Sequence, residues 1–399
     1  MPERWLVIAH EATNSGAPRM LLDILRGVRA TRGADWSCEI ILRRGGPLVE
    51  DFARLGPVRI LTSYRWMDGP ALGSRLCRLL VDRPWVQPAR LKNWFEQWRG
   101  TRFDLVYNNT ATNGFIVSAV RNLSCPVLTH VHELGYSLRR FNTTKSLGQT
   151  LVNSDHFLAV SPAVATDLAR CGVSAGRITV VPNFLKALPV ECEGDARCAK
   201  RIKLGLPPDV LIVTGCGHID GLKGTDLFVE MAAALVGMTS REILFNWIGG
   251  ESDSYFAGRV RRLVRRRGIE KSIRFVGEVP NADAWFGASD VVAVTSRVES
   301  FSLVALEAAA AGRPVVGFSG ARGLEDLLGK EPGLLVDNFD PVAMASVVHG
   351  LLHDSLRAVA VGQRLRLKVE GEFLAGPSIA SILGIVDKLK SDRISDHGG

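Results

Sequence analysis

The 399-residue sequence lacks any apolar run of the roughly 18 to 20 residues that a membrane-spanning helix needs. Its N-terminal apolar run, WLVIA, is too short for a signal peptide and leads directly into polar sequence. Seven cysteines are scattered along the chain, and the nearest pair, Cys192 and Cys198, has no second pair to complete a zinc site. We therefore expect a cytoplasmic, globular protein with reduced thiols.

Several signatures of nucleotide and metal chemistry are also absent. The chain contains no GxxxxGK[ST] phosphate-binding loop and no intact GxGxxG after the first strand of either half. It contains no Asp-x-Asp, the usual pair for holding a divalent ion against a nucleotide diphosphate. These absences disfavour NAD chemistry, and we expect no metal or other cofactor.

The positive charge of the chain is unevenly distributed. The formal net charge is +8, yet residues 1–183 hold 23 Lys and Arg against 14 Asp and Glu, while the rest is nearly neutral. A basic half suggests an anionic partner, such as a phospholipid surface, a lipid phosphate or nucleic acid. Arginine-rich helices that are merely solvated would give the same count.

The two halves of the chain begin in the same way. RWLVIA and DVLIVTGCG are short apolar runs, each followed by a glycine-containing loop and an amphipathic helix. Further apolar runs alternate with helical patterns, which predicts parallel sheets and an α/β fold with two Rossmann-like, doubly wound domains. We expect domains over 1–184 and 210–375, joined by a turn-rich linker over 185–209. A C-terminal helix and tail over 376–399 would follow, and packing back on the first domain is one option for it.

The segment SRVESFSLVALEAAAAGRP carries two glutamates, Glu299 and Glu307, with seven residues between them. The pattern predicts a strand over 291–295, a loop, and a helix over 303–311. Glu299 can form a capping box with Ser296, whereas Glu307 lies among alanines, where a buried carboxylate without a partner is costly. Hydroxyl pairs of a sugar or a ribose would supply such a partner, and the free amides of the helix N-terminus suit a phosphate.

The segment GHIDGLKG follows the predicted strand DVLIVT. It brings together two side chains that can carry positive charge, His218 and Lys223, and glycines that let backbone amides approach a ligand closely. We interpret it as a clamp for a diphosphate. A surface loop without a ligand is the alternative interpretation.

The segment LTHVHEL places His130 and His132 beside Glu133 at the end of a predicted strand. Two histidines with one residue between them can be metal ligands, but the spacing offers no third ligand. We expect instead that one histidine faces the cleft as a hydrogen-bond donor and that the other packs.

An arginine cluster, RVRRLVRRRG, covers residues 259–268 and resembles a nucleic-acid patch. Val260, Leu263 and Val264 form an apolar stripe at helical spacing, which makes the arginines a solvated face. Nucleic acid is disfavoured because the cluster has no aromatic stacking platform.

Taken in order, these segments resemble the retaining glycosyltransferases of family four, whose GT-B architecture consists of two facing Rossmann-like domains. The resemblance covers nearly the whole chain, and the two-glutamate motif with its GRPVV tail is its most specific part. The segments that carry it are NSGAPRMLL, VYNNTATNG, HVHE, AVSPAV, RITVVPN, GHIDGLKGTDLF, IRFVGEV, ESFSLVALEAAAAGRPVV and GLLVDNFDP.

The resemblance implies roles for individual residues. Glu307 would accept hydrogen bonds from the nucleotide ribose, Glu299 would contact donor-sugar hydroxyls, and His132 would contact the donor sugar near the reacting carbon. His132, Lys223 and Glu299 would be the catalytic residues. The donor-binding residues would be Gly16, His218, Lys223, Val276, Gly277, Val279, Ser300, Phe301, Ser302, Leu303 and Glu307.

The sequence departs from the family pattern in two places. His218 stands where the family commonly has an arginine, so one cation of the clamp depends on pH. We therefore expect donor binding to weaken as pH rises. Ser300 and Ser302 replace two glycines, which leaves the donor sugar open.

The resemblance implies a metal-independent, retaining hexosyl- or deoxyhexosyltransferase with a nucleoside diphosphate sugar as donor. The acceptor would be a glycan or a lipid-diphosphate-linked glycan of cell-surface polysaccharide biosynthesis. It would be bound by the basic first domain, which would also contact the inner face of an anionic membrane. The alternatives are another GT-B enzyme such as a sugar-nucleotide epimerase, and a degenerate transferase that serves as a binding module. The base, the sugar, the acceptor, the linkage and the oligomeric state stay open.

Overall fold

The computed structural model describes residues 2–62, 94, 96, 98, 100–189, 195–251 and 254–397. Part of the predicted linker, together with Cys77 and Cys192, lies outside the described residues. The chain forms two compact units, one of Met1–Asn183 with Ala375–Gly399 and one of Phe184–Leu374. Each unit is built on one parallel sheet.

The first unit contains a seven-stranded sheet in the order β3-β2-β1-β4-β5-β6-β7, with every pair parallel. The strands are β1 (Glu3–Ala9), β2 (Trp36–Arg44), β3 (Val58–Thr62), β4 (Leu105–Asn108), β5 (Val127–Val131), β6 (His156–Ala159) and β7 (Ile178–Val180). The helices described between them are α1 (Gly16–Arg32), α2 (Val49–Ala53), α3 (Gly114–Val120), α4 (Gly135–Phe141), α5 (Thr144–Asn153) and α6 (Pro162–Arg170).

The second unit contains a six-stranded sheet in the order β10-β9-β8-β11-β12-β13, also parallel throughout. The strands are β8 (Leu211–Cys216), β9 (Ile243–Ile248), β10 (Ile273–Gly277), β11 (Val291–Val294), β12 (Val315–Phe318) and β13 (Leu335–Val336). The helices are α7 (Asp195–Lys203), α8 (Thr225–Val236), α9 (Ser254–Arg267), α10 (Asp283–Ala288), α11 (Leu303–Ala310), α12 (Glu325–Leu328), α13 (Pro341–His353) and α14 (Ser355–Glu372).

The last helix, α15 (Ala375–His397), belongs to the first unit. It packs on α1 so closely that a Cβ on Gly27 would lie 2.8 Å from the side chain of Ile379. Arg32 at the end of α1 donates to both carboxylate oxygens of Asp387, over 2.6 and 2.7 Å. The chain therefore finishes on the unit in which it began.

Burial on both faces of each sheet explains why the strands read as continuous apolar runs. All six residues of β9 are buried, and in β1 the run from Trp5 to Ala9 is fully enclosed. The ring of Trp5 stacks on that of Tyr107, and Phe228 packs edge-on against Trp247. No helix in the described part of the chain is long and apolar enough to cross a membrane.

The strand orders locate the points at which ligands bind in such sheets. In each unit the chain runs outward from a central strand and then returns to that strand's other side, so the order reverses between β1 and β4 and between β8 and β11. Ligands of open parallel sheets bind beyond the carboxyl ends of the strands at this reversal. The predicted pair of doubly wound α/β sheets is confirmed. Most of the candidate site residues lie in loops directly after strands of these sheets.

Candidate functional site

In the second unit, the loop after β8 lies against the loop after β11. Gly224, the residue before α8, has φ +65°, and a Cβ there would lie 1.9 Å from the carbonyl oxygen of Thr295. Only glycine permits this approach of two backbones without a shift. The close approach brings Lys223, in the first loop, beside the second loop.

Lys223 and Glu299 form an ion pair across these two loops. The Nζ atom of Lys223 lies 2.9 Å from Oε2 of Glu299, and the two side chains are 31% and 9% exposed. Burial lowers the pKa of Lys223, but the charge of Glu299 and its hydrogen bond outweigh that effect and hold the pKa above its usual value. Lys223 is therefore a permanent cation at the carboxyl edge of this sheet.

Arg297 fixes the relative position of the two loops, a role that no sequence pattern predicts. Its guanidinium binds both carboxylate oxygens of Asp226 over 2.7 Å each and donates to the carbonyl of Gly221 over 2.9 Å. Its backbone N–H donates to the carbonyl of Leu222 over 2.8 Å. The pairing of Asp226 with Arg297 joins residues far apart in sequence, and one sequence alone cannot reveal it.

The N-terminus of α11 is capped by Ser302. The Oγ of Ser302 accepts from the N–H of Ala305 over 3.2 Å, and α11 begins at Leu303. The alternative capping box of Ser296 with Glu299 is therefore wrong, because Ser296 lies well before the cap. The Oγ of Ser302 is engaged in this bond with Ala305. The N–H groups of Leu303 and Val304 come before that of Ala305 in the first turn of the helix.

Glu307 lies within α11 and is half-buried rather than enclosed by alanines. It also interacts with its surroundings, so the cost expected for an isolated buried carboxylate does not arise. Phe301 is buried, with its ring 5.6 Å from that of Phe373, so its side chain serves the core. Ser300 lies in the loop between Glu299 and Phe301 and is half-buried.

The segment predicted to contact the base lies at the end of β10. The register slips between Phe275 and Gly277, so Val276 is bulged, and Gly277 takes φ +84°. The carbonyl of Gly277 accepts from the N–H of Gly249 over 2.8 Å, which ties the end of β10 to the end of β9. Val276, Gly277 and Val279 are half-buried at the same edge of the sheet as Lys223.

His218 lies at the start of the loop after β8, and its side chain is exposed. Its backbone carbonyl accepts from the N–H of Asp220 over 2.9 Å, which fixes the turn. Within the described residues its imidazole has no hydrogen-bond partner, so it can reach an anion in solvent.

In the first unit, His132 is held by Asn109 at the end of β4. The two side chains meet with Nε2 of His132 3.0 Å from Oδ1 of Asn109, and Nδ2 of Asn109 donates to the carbonyl of Ala17 over 3.0 Å. Burial, with the charges of His130 and His10, holds the pKa of His132 well below its usual value. Because Oδ1 can only accept, the neutral ring carries its proton on Nε2 and leaves Nδ1 for a ligand. The nitrogen available is an acceptor, not the donor that the sequence predicted.

His130 is the packed member of the histidine pair. It is 1% exposed, and its Nδ1 lies 2.8 Å from the hydroxyl of Tyr107. Burial lowers the pKa of His130 to about 3, so its imidazole is neutral near pH 7.

Glu133 closes this network. It accepts from the hydroxyl of Thr110 and from the N–H of His132, the latter over 3.0 Å, and burial raises its pKa above the usual value. Gly16 is exposed as the first residue of α1, next to the Ala17 carbonyl that Asn109 binds. Within the described part of the chain, no group of three or more His, Cys, Asp or Glu is arranged to hold a metal.

Two family models match the chain. The model described as Glycosyltransferase Family 4 matches residues 15–186, and the model described as Glycosyl transferases group 1 matches residues 208–354. The first range holds Gly16 and His132, and the second holds Lys223, Glu299 and Glu307.

Curated relatives and solved structures point the same way. D-inositol 3-phosphate glycosyltransferase of Xylanimonas cellulosilytica is 36% identical over 229 residues, which cover 55% of this chain and 52% of that protein. D-inositol 3-phosphate glycosyltransferase 2 of Catenulispora acidiphila is 31% identical over 284 residues, 65% of either chain. The matched stretches thus span between about half and two thirds of these relatives.

Two solved structures share the fold over almost their entire length. Anabaena HepE, solved with UDP and glucose, has a TM-score of 0.79 at 18% identity and covers 96% of this chain and 99% of its own. Sucrose-phosphate synthase of Thermosynechococcus elongatus has a TM-score of 0.76 at 22% identity and covers 98% of this chain and 100% of its own. This likeness shows that the fold is GT-B, and the two family models identify the chain as a member of the family-four, group 1 glycosyltransferases.

Proposed function

We propose that the protein is a retaining glycosyltransferase that moves a hexosyl or deoxyhexosyl group from a nucleoside diphosphate sugar to a phosphate-bearing acceptor. The observation that carries the proposal is the ion pair of Lys223 and Glu299 at the carboxyl edge of the second sheet. The pair combines a permanent cation, which suits a diphosphate, with a carboxylate, which suits sugar hydroxyls. Both residues lie in the loops that follow β8 and β11, where the strand order reverses.

Lys223 stabilises the departing nucleoside diphosphate, where negative charge develops during transfer. The exposed imidazole of His218 adds a second positive charge when it is protonated. The N–H groups at the start of α11 add a third interaction, since the first amides of a helix favour an anion. These groups come from the protein itself, so the proposed transfer needs no divalent ion.

Glu299 and Glu307 bind the two polyols of the donor. Glu299 is already oriented by Lys223, and it accepts from hydroxyls of the transferred sugar. Glu307, half-buried in α11, accepts from the ribose. The bulged end of β10 at Val276 and Gly277 supports the base.

His132 serves as a neutral acceptor for a donor-sugar hydroxyl near the reacting carbon. Asn109 holds its Nε2 proton and so directs the lone pair of Nδ1 to the ligand. Retention follows from same-face substitution, in which the leaving phosphate assists the attacking hydroxyl. Gly16 lies beside the Asn109 contact and leaves the start of α1 open on that side.

Fewer observations bear on the acceptor than on the donor. The excess of positive charge in residues 1–183 suits a phosphate-bearing molecule, and the curated relatives carry the name D-inositol 3-phosphate glycosyltransferase. A lipid-diphosphate-linked glycan of polysaccharide biosynthesis shares this chemistry and would bring the protein to an anionic leaflet. Transfer assays with inositol 3-phosphate and with a lipid-diphosphate-linked sugar distinguish the two sources.

The experiment that tests the donor site is a thermal-shift screen of nucleoside diphosphates and their sugars, with and without EDTA. UDP is the first nucleotide to try, because the similar HepE structure contains it. A ligand at about 100 times its dissociation constant stabilises a protein by roughly 2.7 kcal/mol, which shifts the melting temperature visibly. We expect one nucleotide to shift the wild type with or without EDTA, and Glu307→Ala to lose that shift.

The result that would overturn the proposal is the absence of any shift with all nucleotides. The chain would then be better described as a degenerate member of the family that serves as a binding module. Nucleotide binding with turnover of the donor in the absence of any acceptor would favour an epimerase instead. Sedimentation with anionic and neutral vesicles tests the membrane contact, and equal partitioning at low salt would count against it.

A further inference from the structure

Helix α9 presents a row of arginines that lies outside the proposed donor site. Tyr255, Arg259, Arg262 and Arg266 follow one another at steps of four, three and four residues, so at 3.6 residues per turn they share a narrow face. This face borders a groove of about 430 Å³ between α8 and α9, whose α8 side carries Asp226 and Glu230. We call this feature the arginine groove.

The acidic residues of the arginine groove are already neutralised by other arginines. Asp226 forms its two-pronged contact with Arg297, and Glu230 binds Arg267 over 2.8 Å. In contrast, Arg259, Arg262 and Arg266 are exposed, and within the described residues none of them forms a hydrogen bond or an ion pair. The groove therefore has three uncompensated positive charges in a line about 10 Å long.

The arginine groove begins near the loop that carries Lys223. A Cβ on Gly221 would lie 3.5 Å from the ring of Phe256, which also lines the groove. Tyr255, at the same end of α9, is 74% exposed. A long ligand in the groove would thus have one end beside the loop that we assign to the donor diphosphate.

We infer that the arginine groove binds an acidic glycan chain, one that carries carboxylate, sulfate or phosphate groups. Spaced guanidinium groups match spaced anions, and an exposed tyrosine ring offers an apolar face with a polar edge to a sugar. The choice of a glycan among extended polyanions rests on the proposed function, because a transferase that extends a polymer meets that polymer at its donor loop.

Two other anionic partners fit the arginine groove less well. A helix that lies in a membrane interface carries large apolar side chains beside its basic ones. On α9, as far as its residues are described, Tyr255 is the only large apolar side chain that is strongly exposed. Single-stranded nucleic acid is held by several aromatic rings in succession, and α9 offers one exposed ring.

The test is fluorescence anisotropy of the full chain with a labelled polygalacturonate oligosaccharide of about ten sugars, at about 50 mM salt. Neutral maltodextrin of the same length, single-stranded DNA and anionic vesicles serve as comparison ligands. The groove variant is Arg259→Gln/Arg262→Gln/Arg266→Gln. The matched control is Arg261→Gln/Arg265→Gln/Lys271→Gln, which removes the same charge from exposed positions outside the groove.

We expect the acidic oligosaccharide to bind in preference to the neutral one, and the groove variant to bind about tenfold or more weakly while the control stays near wild type. Equal losses of oligosaccharide affinity in the two variants would show that only the overall charge matters, and this result would overturn the inference. Tighter binding of DNA or of vesicles than of the oligosaccharide would overturn it in favour of those partners.

Nucleotide thermal shifts on the same proteins separate this inference from the proposed function. The groove variant should keep the wild-type nucleotide shift, since its three arginines lie outside the donor site. Nucleotide binding without glycan binding would reject the arginine groove alone. Groove-dependent glycan binding without any nucleotide binding would leave the groove as a binding site and reject the transferase.

Discussion

The Nζ atom of Lys223 lies 2.9 Å from Oε2 of Glu299, and the two partners differ in their access to water: 31% of the lysine side chain is exposed against 9% of the glutamate. Removing one partner of a buried pair costs the desolvation of the group that is left behind. The two single substitutions should therefore be unequal in their effect on stability.

We expect Lys223→Met to lower the free energy of unfolding by about 1 to 3 kcal/mol, because it leaves the Glu299 carboxylate buried without its partner. Glu299→Gln should cost about 1 kcal/mol or less, since Lys223 can still reach water. Urea unfolding of both variants and of the double variant measures the difference. A larger loss for Glu299→Gln than for Lys223→Met would contradict this account of the pair.

Arg297 offers a prediction about positioning. Arg297→Lys keeps the charge but loses the two-pronged contact with Asp226, so the loop that carries Lys223 should shift. We expect nucleotide affinity to fall about tenfold while the fold persists. Calorimetric titration with the nucleotide identified by the thermal-shift screen measures this loss.

The matched control for this prediction is Arg364→Lys. Arg364, which lies on α14, also makes a two-pronged contact, in this case with Glu331. Its replacement by lysine should leave nucleotide affinity unchanged. An equal effect of the two substitutions would show that Arg297 acts only on general stability.

The sequence predicted most of the fold because strand and helix patterns are local. The strand predicted over 291–295 and the helix predicted over 303–311 each differ by one residue from β11 and α11. The sequence also predicted that residues directly after the strands would form the site, because parallel strands bring their carboxyl ends to one edge of the sheet. Lys223 and Glu299, which follow β8 and β11, are the clearest example.

The remaining features depend on contacts between distant segments. Asn109 binds both His132 and the start of α1, and Arg297 binds Asp226, yet no local pattern marks either residue. Ser296 fits the capping-box pattern because Glu299 follows it by three residues, whereas Ser302, the true cap, is followed at that spacing by Ala305. The exposure of Glu307 could not be read from its alanine neighbours, since helix orientation decides which face of α11 is covered.

His218 yields a prediction about charge. The exposed His218 lies in the same loop as Lys223. His218→Arg places a permanent positive charge at this position, so we expect the variant to bind the nucleotide at least as tightly as the wild type. Calorimetric titrations of both proteins with the same nucleotide provide the measurement, and weaker binding by His218→Arg would discard the idea.

The buried histidines of the first unit predict acid sensitivity. Burial lowers the pKa of His130 to about 3, whereas an unfolded chain would protonate this histidine near pH 6.5. Above that pH neither state binds the proton. Below it only the unfolded state does, so the free energy of unfolding falls by up to about 1.4 kcal/mol per pH unit.

Neighbouring groups modify this slope in known directions. His132, whose pKa is also lowered by burial, adds to the loss. Glu133, whose pKa burial raises, opposes it because its folded form takes up a proton more readily. Glu11, whose pKa is lowered to about 2 mainly by its hydrogen bond with His10, contributes a loss of stability only below about pH 4.5. Elsewhere in the chain, His156, whose pKa burial lowers, adds to the loss, and Glu325 and Asp326, whose pKa values burial raises, oppose it.

The variant Tyr107→Phe/His130→Leu isolates the share of His130, because it removes both partners of the buried 2.8 Å hydrogen bond and leaves neither group unsatisfied. Urea unfolding between pH 5 and pH 7 should give this variant a shallower loss of stability on acidification than the wild type. The difference should approach 1.4 kcal/mol per pH unit, the full effect of one histidine kept neutral by burial. If the double variant keeps the wild-type slope, His130 is protonated without unfolding, and the enclosure of the Tyr107–His130 pair is less complete than its 1% exposure indicates.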